Sequence, residues 1–206
     1  MTGRDVDRRT RRQALAATGT ALAMGIAGCA DDGDGTTDGA VDAAGANAEP
    51  DGSSPFLFDH PVDEPETFDS SHACGVCTMG VLNYEDRMAQ LAHEDGSGMA
   101  FCSPGCLFAY VAYPGHFDGA AANVANVWVT TFDTGELIDA NEASFVLERD
   151  ERRSDAPMTI DPEVYEDEAA ALEFVERYED LDEDDVVGFD AVDEDVARIY
   201  RPNRLP

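Results

Sequence analysis

Lysine is missing from this 206-residue chain: all 13 of its basic residues are arginine, set against 44 aspartates and glutamates. With a net charge of -31 and no basic stripe, nothing is available to neutralise a phosphate backbone, which excludes nucleic acid as a partner. Histidine is scarce, limited to His60, His72, His93 and His116. No serine or cysteine stands in a recognisable nucleophile setting, so covalent catalysis is not expected and the chain does not read as an enzyme. The apolar run Ala14 to Ala27 also stops short of the roughly 20 residues needed to span a bilayer, which argues against a transmembrane anchor.

So much negative charge normally opposes collapse. Here 43% of the residues are hydrophobic and gather in periodic runs after residue 70, so a core can form where dense salt screens the acidic coat. A lysine-free, acid-covered surface resembles that of proteins from salt-accumulating halophiles, and the length suits one domain with tails. The N-terminus reads as a targeting segment. Arg4, Arg8, Arg9, Arg11 and Arg12 precede or flank the start of the apolar run, and Thr10-Arg11-Arg12-Gln13-Ala14-Leu15 resembles a twin-arginine export signal. Ile26-Ala27-Gly28-Cys29 resembles a lipobox, whose cysteine becomes the lipidated first residue of the mature protein. Residues 1–28 are therefore expected to be a removable signal, and the remainder to lie outside the cytoplasm, anchored to the membrane by a lipid on Cys29. Loss of five of the arginines and two of the aspartates with that signal leaves 8 basic against 42 acidic side chains. Residues 29–66, dominated by Asp, Gly, Ala and Thr, read as a flexible, self-repelling linker. The triplet Phe56-Leu57-Phe58 near its end reads as an edge contact of the domain that follows.

That domain is expected over residues 67–192, as an α+β fold of two ββαβ units, with residues 193–206 as a tail. Met88 to His93 and Met99 to Cys102 predict two strands joined by the turn Glu94-Asp95-Gly96-Ser97-Gly98. Ser103 suits an N-cap and Pro104 a first helical position, which predicts a helix to Tyr113 with Leu107, Phe108 and Val111 buried. Val127 to Phe132 is the strongest strand signal and ends at Asp133-Thr134-Gly135. The order then repeats: strands at Ser144 to Arg149 and Glu163 to Tyr165, a helix over Asp167 to Tyr178, and a strand at Val186 to Phe189. A short helix around Val196 to Tyr200 would end before Pro202.

Chemistry concentrates in the thirty-three residues from Cys74 to Cys106. Cys74-Gly-Val-Cys77 lets two thiolates from one turn face a common centre, and Cys102-Ser-Pro-Gly-Cys106 supplies two more from elsewhere in the chain. Cys106 falls in the first turn of the predicted helix, where the dipole favours a thiolate. Four thiolates suit zinc; a site mixing thiolate with thioether selects Cu(I), which directs attention to Met79, two residues after Cys77. A closed four-cysteine zinc site serving an interaction module, a pair of disulfides, a thiol-disulfide oxidoreductase using Cys74 and Cys77, and an enlarged copper site all remain open on spacing alone. His72 is the histidine nearest the motif and is a weak candidate for an imidazole ligand.

Cys74-Gly-Val-Cys77-Thr78-Met79 resembles the CxxCGM signature of the NosL lipoproteins. Val127-Trp-Val-Thr-Thr-Phe-Asp133-Thr-Gly-Glu-Leu-Ile-Asp139-Ala140 resembles that family's strand, turn and DA segment, and Ala156-Pro157-Met158 its TPMG stretch. The resemblance covers roughly residues 70–192. It implies a fold built from ββαβ units and an extracytoplasmic Cu(I)-binding chaperone, with nitrous oxide reductase and its maturation machinery as partners. It also implies Cys77, Met79 and Met158 as the Cu(I) ligands. Thr78 and Thr159 stand where the family has glycine, which leaves those backbones less free to take unusual dihedrals. Cys102-x-x-x-Cys106 is outside the basic signature, and Cys77, Cys102 and Cys106 together resemble the CxnCxxxC pattern of TRASH-type heavy-metal domains.

Overall fold

Phe58–Asp59 forms β1, an edge strand laid antiparallel along β3 (Ser97–Phe101), in a computed structural model that describes residues 54–154 and 156–206. The signal, Cys29 and most of the expected linker lie outside the described residues. The last part of that expected linker is built into the sheet, because it has something to bury and something to bond. His60 stacks on Trp128 with ring centroids 5.5 Å apart, and its Nε2 lies 2.7 Å from the Gln90 side-chain oxygen. The same oxygen accepts from the Glu66 amide at 2.7 Å, and the Gln90 amide returns a bond to the Glu66 carbonyl at 3.1 Å. A buried glutamine thus satisfies the backbone of an otherwise polar arm.

The predicted hairpin is present as β2 (Ala89–His93) and β3, with Gly96 at φ +83° in its turn. β3 starts two residues earlier than the apolar run predicts because Ser97 and Gly98 pair with β1. Helix α1 (Pro104–Ala112) follows at once, and every residue from Pro104 to Tyr110 is buried. β4 (Val124–Thr130) returns beside β2, and β5 (Leu137–Asp139) pairs with it at the outer edge. The first sheet therefore runs β1-β3-β2-β4-β5, all antiparallel, and β2, flanked on both sides, is buried along its whole length.

The second unit repeats the arrangement with β6 (Ser144–Val146), β7 (Glu163–Tyr165), α2 (Glu168–Val175) and β8 (Val186–Gly188). Its sheet order, β7-β6-β8, is the order β3-β2-β4 of the first unit, so the ββαβ duplication expected from the sequence is present in the topology. Asp167 caps α2 by accepting from the Ala170 amide at 2.9 Å. The units share a core: Phe108 of α1 meets Phe145 of β6 edge-on at 5.2 Å, and the Phe132 amide donates to the Val164 carbonyl at 2.7 Å. Arg87 and Glu163 form a buried ion pair at 3.2 Å across the same junction.

Helix α3 (Glu194–Tyr200), capped by Asp193, packs against α1 and buries Ala197 and Tyr200 in the main core. The close approach needs Gly105 at the start of α1. A Cβ there would overlap Asp161 Oδ1 and would lie 2.9 Å from Tyr200 Cβ. The residues expected as a tail thus furnish a wall of the domain. Among the described residues no helix is long and apolar enough to cross a membrane.

Candidate metal centre

Two backbone devices bring the cysteines together. The first is a tight loop in which the Cys74 amide donates to the Met79 carbonyl at 2.8 Å and the Thr78 amide to the Cys74 carbonyl at 2.9 Å. Thr78 closes it at φ +67°. A β-branched residue rarely enters that left-handed region, so Thr78 sits there under backbone strain. The same holds at Thr159, φ +84°, after Pro157-Met158. The loop docks on β3 through the Gly75 amide, which donates to the Ala100 carbonyl at 3.0 Å. A side chain on Gly75 would collide with the buried Met99 thioether.

The second device is the β3-to-α1 junction, which places Cys102 at the strand end and Cys106 in the first helical turn. Ser103 occupies the N-cap position as expected, yet its hydroxyl makes no cap bond within the helix. It donates to Asp161 Oδ1 at 2.9 Å, and that same oxygen accepts from the Gly105 amide at 2.8 Å. Asp161, from the approach to β7, therefore caps α1 from across the domain, and a carboxylate suits the positive end of that helix.

The four sulfurs of Cys74, Cys77, Cys102 and Cys106 all lie within 4.8 Å of one another. Cys77 Sγ is 3.3 Å from Cys102 Sγ, which is 3.8 Å from Cys106 Sγ, and none of the four is in a disulfide. Four thiolates about 2.3 Å from a tetrahedral ion would stand roughly 3.8 Å apart, so the donor set has the size and softness of a thiolate metal site. Three of the cysteines are fully buried; Cys77 retains 4% exposure, and its neighbour Thr78 is exposed. The cluster is thus buried throughout, with its thinnest cover at Cys77, beside the exposed Thr78.

Sulfur-sulfur hydrogen bonding polarises the group. Burial pushes the Cys74 thiol up, but bonds from Cys102 and Cys106 outweigh it and hold Cys74 below the ordinary thiol range. A bond from Cys102 likewise lowers Cys77. Cys102, which donates to its neighbours, is pushed up by those bonds and by burial. A soft cation would displace the shared protons and take their place.

Met79 is half-buried, and its sulfur accepts from the Tyr84 hydroxyl at 3.5 Å. Met158, also half-buried, lines a cavity of about 250 Å3 with Pro157, Thr159, Tyr200 and Arg201. The structure therefore assembles the four cysteines as one cluster, with Met79 on the loop that carries Cys77 and Met158 on a separate wall. His72 bonds Asp69 at 3.0 Å and packs edge-on to Phe58, which engages it outside the cluster. His93 is buried against the Tyr110 hydroxyl at 3.0 Å, a structural role.

One residue at the cluster has no counterpart in the sequence reading. Arg201, which follows α3, donates from Nε to Cys106 Sγ at 3.1 Å. Its side chain is 1% exposed, and Nη2 reaches Asp161 Oδ1 at 2.6 Å and Ser103 Oγ at 2.7 Å. Burial opposes the guanidinium's charge, but the Asp161 carboxylate and the Cys106 sulfur outweigh it and hold Arg201 cationic. Ninety-five residues separate Arg201 from Cys106, and no local pattern marks the pairing.

Comparison with known proteins adds three findings. A family model described as NosL matches residues 65–197. Among solved structures, the crystal structure of the copper chaperone NosL from Shewanella denitrificans has the same fold, with a TM-score of 0.52 and 20% identity over 66% of this chain and 99% of that one. No curated protein matches.

Proposed function

The chain belongs to the NosL family, and from that premise we propose that it is an extracytoplasmic Cu(I)-binding chaperone, tethered to the membrane by a lipid on Cys29, that delivers copper for assembly of the nitrous oxide reductase copper centre. The observation that carries the reading is the buried cluster of four thiols, most thinly covered at Cys77-Thr78-Met79. Such a site protects a soft ion from water while leaving one sulfur that a partner's ligands can approach. Cargo is then exchanged by stepwise replacement of sulfur for sulfur, and no substrate is turned over. In this reading Cys77 is the exchanging ligand, with Cys74, Cys102 and Cys106 behind it. Met79 Sδ is the thioether that moves from the Tyr84 hydroxyl to the ion during transfer, and Met158, on its separate wall, is the second thioether.

Anaerobic titration of the reduced protein with Cu(I) against a competing chelator tests this. One tight equivalent per chain is expected, abolished by Cys77→Ser. Transfer to an external acceptor should slow in Met79→Leu and Met158→Leu. A zinc-stabilised four-cysteine module is the second reading, favoured by the burial of all four sulfurs. Purification with one tightly held zinc that Cu(I) fails to displace would establish it in place of the chaperone. Disulfide exchange is less well supported, because Cys74 to Cys77 forms a turn and opens no helix.

A further inference from the structure

We propose that Arg201, held by Asp161, is the specificity-determining residue of the thiolate cluster and biases it towards a singly charged, low-coordinate ion. This rests on the metal-binding reading above but concerns which ion the site prefers. The Arg201 side chain is fully enclosed, and each of its nitrogens is committed: Nε to Cys106 Sγ at 3.1 Å, Nη1 to the Ile160 and Tyr200 carbonyls at 3.0 and 2.8 Å, Nη2 to Asp161 and Ser103. A group so fixed is part of the site's wall. Asp161 keeps it there, and the same Asp161 oxygen accepts from the Ser103 hydroxyl and the Gly105 amide at the start of α1. Its other oxygen, Oδ2, is buried with no partner among the described residues.

Two independent consequences follow for a bound ion. The first is charge. Thiolate for thiolate, the complex with a monovalent ion carries more net negative charge than the one with a divalent ion, so the guanidinium edge turned to Cys106 favours the monovalent complex, an effect that Asp161, paired with the other edge, reduces. The second is coordination. A sulfur that accepts a charge-assisted hydrogen bond from a guanidinium has less electron density to offer a metal. Cys106 is thereby the weak arm of the four. Zn(II) asks for four full donors in tetrahedral sites, whereas Cu(I) is satisfied by fewer soft ones. Both effects act in the same direction, in favour of Cu(I) over Zn(II), although the donor atoms are four cysteines that zinc would ordinarily claim.

The test uses the full chain, reduced and oxygen-free, with Cu(I), Zn(II) and Co(II) as probes. Arg201→Met alone leaves Asp161 buried without its cation and is expected to destabilise the fold, so it is combined with Asp161→Asn, which still accepts from Ser103 and Gly105. Arg201→Lys keeps the charge opposite Asp161 but cannot reach both carboxylate and sulfur with a planar fork. The paired neutral variant should lose at least tenfold in the ratio of Cu(I) to Zn(II) affinity. Its Co(II) complex should show a stronger sulfur-to-metal charge-transfer band, since Cys106 becomes a full donor. Arg201→Lys should fall between it and the wild type on both readouts, and decides the matter if the paired variant does not fold. An unchanged ratio and an unchanged Co(II) band in the folded variants would overturn the proposal. Failure of the wild type to bind Cu(I) would remove the chaperone reading, while the Co(II) comparison would still report on Arg201.

Discussion

Replacing Thr78 by glycine should stabilise this protein, although glycine substitutions at exposed positions usually do the reverse. Thr78 is exposed, has φ +67°, and holds the cysteine loop closed through its amide alone. A side chain in the left-handed region costs about 1–2 kcal/mol, and a β-branched one belongs at the upper end. Glycine removes that cost but releases more backbone entropy on unfolding, worth about 0.5–1 kcal/mol. The net gain expected for Thr78→Gly is therefore about 1–1.5 kcal/mol. At about 2–4 °C per kcal/mol for a domain of this size, that is a rise of a few degrees in Tm, best resolved as a shift in denaturant midpoint at constant slope. The measurement belongs in molar salt, where the acidic coat is screened. Thr67→Gly is the control: Thr67 is exposed but not at positive φ, so the same change there should destabilise. A Thr78→Gly protein no more stable than the wild type would show that the loop is not under backbone strain and would refute the reasoning.

Three other outcomes follow from the structure. Burial pushes Glu163 up to about 7 against the pull of Arg87, so folding favours its neutral form. Its stabilising contribution is complete below the unfolded value of 4.5 and is lost as pH rises through about 7. That is roughly 3 kcal/mol, which Glu163→Gln should remove, flattening the difference in stability between about pH 5 and pH 8. Gly105→Ala drives a methyl group into Asp161 and Tyr200, and should cost about 1–3 kcal/mol and loosen α3, read as faster amide exchange over Glu194–Tyr200. A metal that binds only the folded protein adds about 2.7 kcal/mol at one hundred times its Kd, a Tm rise of about 5–10 °C; no rise with either Cu(I) or Zn(II) would show that the cluster holds neither.

The sequence carried the ββαβ order because the first unit has strong local signals, namely a Gly-rich hairpin turn, a Ser-Pro helix start and the Val127 to Val129 run, and the second repeats the order around a helix opened by Asp167. β5 escaped notice because three half-buried residues have no period to detect. The Phe56-Leu57-Phe58 triplet was legible as an edge contact and does form one through β1, but only the structure shows how far the arm is pinned by Gln90. At the site, cysteine spacing sufficed to nominate all four sulfurs. Asp161 and Arg201 left no trace, since a buried ion pair formed across 40 residues of sequence looks, residue by residue, like ordinary surface charge. Thr78 and Thr159 read as departures that would restrict the backbone. Both nonetheless take the left-handed region, so the backbone at these two positions is strained.

Cys77 and Cys102 stand 25 residues apart in the chain, one on a loop before the hairpin and the other at its end. An ion gripping both would act as a cross-link. Closing a loop of that length removes about 3.5 kcal/mol of disorder from the unfolded chain. Loss of the ion would give that freedom back to the unfolded chain, so the empty protein would be held together less firmly than the loaded one, and the cysteine loop and the hairpin would be the segments that feel it.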